Sequence, residues 1–149
     1  MKKFRFQLET LLKVTKMNKD QAQVELATAT KKVEEARHHL EELLEQMAQG
    51  HKDYDALTSK GTITVGTLMT YNSFFNYKRE QIEQQQHYIM ECQAERQKRM
   101  AELVKIMNKL KSIEQLKEKR FQQYMAEVLF EEQKVLDEIG GQLYFRNMG

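Results

Sequence analysis

The sequence predicts an all-α protein: a long two-stranded antiparallel coiled-coil hairpin whose C-terminal helix is the longer of the two. Three observations carry that expectation. The 149 residues contain no proline and six glycines, and neither residue type occurs between Thr67 and Ile139. These are the strongest helix breakers, so the usual punctuation of a compact fold is missing. The composition is rich in Glu, Lys, Gln, Leu, Met and Ala, which all favour helix. Finally, apolar residues recur in alternating steps of four and three along most of the chain.

The first helix is expected over about residues 4–57. Its seam reads Leu8, Leu12, Thr15, Lys19, Ala22, Leu26, Ala29, Val33, Ala36, Leu40, Leu43, Met47, Gly50, Tyr54 and Leu57, with Thr15, Lys19 and Gly50 as imperfect members. A sustained seven-residue period keeps one stripe facing a partner helix and imposes a left-handed supercoil. Residues 58–66 hold two glycines and a Ser/Thr cluster, which marks the turn, and Thr64 or Thr67 is placed to cap the second helix. That helix is expected over about 67–139. Its seam is Leu68, Tyr71, Phe75, Lys78, Ile82, Gln85, Ile89, Cys92, Arg96, Arg99, Leu103, Ile106, Leu110 and Ile113. Residues 140–149 form a tail, and residues 1–149 a single domain. A short connection makes the helices antiparallel neighbours. Pairing Leu57 with Leu68 makes facing residue numbers add to about 125. The paired rod is then ~80 Å long at ~1.5 Å per residue, and everything after Phe121 overhangs.

Charge is segregated along this layout. Residues 1–19 carry six Lys/Arg against one Glu, and residues 96–120 carry nine against three. Residues 20–57 have four basic and nine acidic groups, and residues 67–95 have two and four. The hairpin therefore has a basic open end and an acidic turn end, which suits two different protein partners. Nucleic acid is the competing partner for the basic end. However, its Lys and Arg are interleaved with Leu103, Ile106, Leu110 and Ile113 at seam spacing, and no nucleic-acid motif is present.

Chemistry has few residues to work with. His38, His39, His51 and His87 form no i, i+4 pair, no metal-site spacing occurs, and there is no Gly-rich phosphate loop. Cys92 falls on the seam and reads as a reduced core residue rather than a nucleophile. No catalytic residue, metal or cofactor is expected. The N-terminus is basic, but no stretch approaches the ~20 apolar residues of a membrane span, so a cytoplasmic protein is expected. Two apolar features exceed what the seam uses. Tyr71, Phe74, Phe75 and Tyr77 crowd the turn end, either plugging it or forming a docking patch. The overhang carries Tyr124, Val128, Leu129, Phe130, Val135, Leu136 and Ile139, and is expected either to fray or to pair with a second copy as a homodimer.

The two ends of the chain resemble the FliJ family, the small coiled-coil component of the bacterial flagellar type III export apparatus. The opening Phe4-Arg5-Phe6-Gln7-Leu8-Glu9-Thr10-Leu11-Leu12 is similar to the family's aromatic-basic-aromatic start, and Glu131-Glu132-Gln133-Lys134-Val135-Leu136-Asp137-Glu138 to its closing motif. The resemblance implies a stalk that enters the ring of the export ATPase FliI and promotes its assembly. It also implies contacts with the export gate protein FlhA and with substrate chaperones, at the cytoplasmic face of the membrane. On that basis Phe4, Arg5, Phe6, Leu8, Gln133, Lys134, Asp137 and Glu138 are the ATPase-facing candidates, and Tyr71, Phe74, Phe75 and Tyr77 the gate-facing ones. The alternative from another class is a stand-alone coiled-coil chaperone or scaffold.

Overall fold

A computed structural model describes residues 2–148. It is a hairpin of two helices, α1 (Glu9–Ser59, 51 residues) and the longer α2 (Val65–Met148, 84 residues). The chain divides into two units, Gln21–Leu103 and Met1–Asp20 with Val104–Gly149.

In the Gln21–Leu103 unit, α1 stops where Gly61 adopts φ 66° and donates its N–H to the Thr58 carbonyl at 3.1 Å. That left-handed conformation is one glycine adopts without strain. Thr64 starts α2: its Oγ1 accepts the Thr67 N–H at 3.2 Å, which satisfies one of the unpaired donors of the first turn. Val33, Ala36, Ile89 and Cys92 form the buried core between the helices, with Leu40 packed on it. Cys92 is therefore a small apolar filler, as its seam position requires.

Polar seam members are satisfied across the pair. Gln85 Nε2 donates to the Ala36 carbonyl (2.9 Å) and Arg96 Nε to Thr30 Oγ1 (3.1 Å). Arg99 is half-buried and forks to Glu25, Glu95 and Glu102 at 3.2, 2.9 and 3.3 Å. Burial opposes its charge, but the surrounding carboxylates outweigh that and hold the guanidinium more firmly protonated than usual. A polar seam group tied to specific partners fixes register, because a slip would leave it buried without them.

Gly50 looks like a weak seam member, yet it is buried and Phe74 lies directly over it. A Cβ at Gly50 would sit 2.5 Å from Phe74 Cε1, closer than any real contact. In an exposed helix, glycine to alanine gains roughly 1 kcal/mol. Here Gly50→Ala is expected to lose that gain and lower the melting temperature, because Phe74 must leave its cradle. Adding Phe74→Ala removes the clash, so thermal melts of the double variant should show part of the helix gain restored.

In the other unit, Phe6, Leu12, Leu110 and Ile113 are the core, with Phe4, Leu8 and Leu116 against it. Lys117 Nζ reaches Glu9 at 2.9 Å and, mainly through that hydrogen bond, holds the Glu9 carboxyl below its usual range. Thr15 is buried on the seam without strain, its hydroxyl donating to the Leu11 carbonyl at 2.7 Å.

Two boundaries differ from the sequence expectation. Residues 2–8 precede α1 instead of opening it, because Phe4 and Phe6 gain more by packing on α2 than by continuing a helix. Residues 140–148, expected as a tail, continue α2. Gly140 and Gly141 cost roughly 1 kcal/mol each, which neighbours free of proline can carry.

Candidate functional site

The expected register holds in both units: Phe4 meets Phe121, Glu9 meets Lys117, Glu25 meets Arg99 and Tyr54 meets Tyr71. Every residue of the first predicted seam, Leu8 to Leu57, is buried or half-buried, and of the second predicted seam, Leu68 to Ile113, only Leu68 and Arg96 are exposed. What this pairing leaves uncovered is the candidate docking surface.

The N-terminal candidates separate into two groups. Phe6 is buried, and Phe4 and Leu8 are half-buried. Phe4 packs edge-on against Phe121 at 5.3 Å and tilted against Tyr124 at 5.5 Å, while Arg120 lies 5.9 Å over the Phe6 ring. These residues clamp the N-terminal segment to α2, so they are not a free surface; only Arg5 faces solvent. Tyr124 Oη also donates to the Lys2 carbonyl. Self-coverage therefore reaches beyond Phe121 to Tyr124 and the half-buried Val128, correcting the expected start of the overhang. Alongside lies a groove of about 680 Å³ lined by Lys2, Lys3, Arg5, Arg120, Glu127 and Glu131, among others.

From Leu129 to Met148, α2 is exposed at every position but Gly141. Gln133, Lys134, Asp137 and Glu138 all face solvent there, Gln133 donating to Asp137 Oδ1 at 2.9 Å. At 100° per residue these four occupy the face opposite an apolar stripe of Val135, Leu136, Ile139 and Leu143. Sequence reasoning missed Leu143, Tyr144, Phe145 and Met148, all more than half exposed, because the glycine pair read as a stop. The available signal was the spacing. From Ile113 the positions that continue the seam-side face run Lys117, Phe121, Tyr124, Val128, Glu132, Val135, Ile139, Leu143 and Arg146. Steps of four, four and three repeat every eleven residues, a period that departs from the left-handed heptad.

The turn-end aromatics of the other unit also divide. Phe75 is buried, stacked on His51 at 4.2 Å, and Tyr71 is half-buried against Tyr54 at 5.5 Å. Phe74 sits half-buried over Gly50, with Lys78 5.7 Å above its ring. Only Tyr77 is fully outward, accepting from Gln81 Nε2 at 3.2 Å. The four do not form one exposed patch. Phe75 and Tyr71 plug the seam, and Phe74 lines a groove of about 500 Å³ with Gln46, Gln49, Asp53, Thr70 and Lys78.

Among the described residues, no group of three or more His, Cys, Asp or Glu is placed to hold a metal ion. Among the same residues, no helix is long and apolar enough to cross a membrane. No curated relative and no solved structure matches the chain. A family model does: “FliJ: Flagellar FliJ protein” covers residues 4–149, from the aromatic clamp at Phe4 through the uncovered end of α2. The chain therefore belongs to the FliJ family of flagellar export proteins.

Proposed function

We propose that this protein is a non-catalytic stalk that binds the flagellar export ATPase FliI, promotes its assembly and activity, and links it to the export gate. The observation that carries the reading is the helix from Leu129 to Met148, which no other part of the described chain covers. Its outward face, Gln133, Lys134, Asp137 and Glu138, together with Arg5, meets the ATPase. Phe4, Phe6 and Leu8 contribute indirectly by holding Arg5 and the N-terminal segment in place. The turn-end groove over Phe74, with Tyr77 beside it, is the surface for the gate protein FlhA. Substrate chaperones are the third class of partner. These contacts put the protein at the cytoplasmic face of the membrane export apparatus.

The test is to mix the purified chain with purified flagellar export ATPase. Co-elution on size exclusion and a raised rate of ATP hydrolysis are expected. Separate elution with an unchanged rate would overturn the proposal.

A further inference from the structure

The apolar stripe on the uncovered end of α2 contains two charges that its own helix does not support. Glu132 and Arg146 fall on the same face as Val135, Ile139 and Leu143, within about 80° of arc at 100° per residue. The neighbours of Glu132 three and four residues away are Val128, Leu129, Val135 and Leu136, and those preceding Arg146 are Gln142 and Leu143, none of them with a charged side chain. Glu132 therefore has no i, i+3 or i, i+4 ion pair of the kind that usually steadies an exposed helix charge, and Arg146 has none with the residues before it. Around them Val135, Ile139 and Leu143 stand about half exposed, at 53%, 48% and 52%.

We propose that this stripe pairs antiparallel with the same stripe of a second copy, with Ile139 on the twofold axis. In that register Ile139 meets Ile139, Val135 meets Leu143, and Glu132 meets Arg146, each of the last two contacts made twice by symmetry. The seam's two charges thus become each other's partners, and its aliphatic members fill the space between them. Other registers fail on the same residues. Sliding one copy by a helical turn sets Glu132 against Gln142 in one direction and Arg146 against Leu136 in the other. A parallel, in-register pair sets Glu132 against Glu132 and Arg146 against Arg146, and like charges in a seam exclude that arrangement. The eleven-residue spacing suits this pairing, because two helices with that period keep their stripes in contact through a slight right-handed supercoil. Among the described residues, nothing in the N-terminal segment buries α2 beyond Val128, so the stripe from Glu132 onward is open to a second copy. Gln133, Lys134, Asp137 and Glu138 remain on the outer face of the pair. The inference stands whether or not the export ATPase is a partner.

The experiment is sedimentation equilibrium of the full chain over a wide concentration range, with three variants. Glu132→Arg alone and Arg146→Glu alone should each weaken self-association about tenfold or more, since each sets like charges together twice. The combined swap should restore it to near the original. All these positions are exposed, and circular dichroism checks that the variants fold. A chain that stays monomeric throughout, or a double variant as weak as the singles, would overturn the proposal. Orientation is read separately in a Cys92→Ser background. Val135→Cys and Leu143→Cys chains should form disulfides when mixed and not alone; cross-linking of each with itself would overturn the antiparallel register.

Discussion

Leu43→Asp is expected to unfold the hairpin around it, whereas Leu44→Asp one residue away should be nearly silent. Leu43 is 4% exposed in the seam and Leu44 is 48% exposed on the outer face. A carboxylate at position 43 would be buried without a partner, at a cost of several kcal/mol. At position 44 it remains in water, where surface substitutions usually stay within about 0.5 kcal/mol. The pH dependence distinguishes this cause from simple loss of packing. Burial raises the folded-state pKa of the new Asp above its unfolded value of about 3.9. The unfolded state then releases its proton first, so the penalty is smallest below about pH 4 and grows as pH rises past that point. Thermal melts of both variants at acidic and neutral pH test this. Equal melting temperatures at neutral pH would show that the register is wrong.

Phe6→Ala is the second large effect, and it concerns how a loss of docking should be interpreted. Phe6 resembles a docking residue in sequence, but it is 7% exposed and part of the core with Leu12, Leu110 and Ile113. Removing a buried ring costs about 3–5 kcal/mol from lost transfer energy and the cavity left behind. The segment precedes α1, so the loss should appear first as faster amide exchange over Leu12–Thr15 and Leu110–Ile113. Arg5→Ala, at an exposed position, should leave that exchange unchanged. Unaltered protection in Phe6→Ala would mean that the clamp contributes little and that Phe6 is free for a partner after all.

Phe6 and Leu43 differ in how far their burial could be read from the sequence. The seam of α1 was legible residue by residue, because each heptad position is buried by one facing helix and nothing else competes for it. The antiparallel register followed from the turn, since a short connection admits one pairing. Phe6 was legible as aromatic but not as buried, because period alone does not say that residues 2–8 leave the helix; Phe75 was legible as a seam residue, but not the His51 ring that stacks on it. Gly50 was read as a seam defect because sequence shows the missing side chain and not the ring that fills its place. The helical run past Gly140 was hidden for a related reason. Glycine marks a permitted stop, and whether the helix takes it depends on flanking residues that here all favour continuation.

The most direct test of the proposed function is the hydrolysis rate of the flagellar export ATPase measured with the full chain and with a chain cut after Glu131. Residues 132–148 are exposed apart from Gly141, so the shortened hairpin should keep its fold and melting temperature. The cut removes Gln133, Lys134, Asp137 and Glu138 together, while leaving the clamp at Phe4, Phe121 and Tyr124 intact. The expected result is stimulation by the full chain and none by the folded, shortened one. Full stimulation by the shortened chain would contradict the assignment of the ATPase-binding surface to the uncovered end of α2.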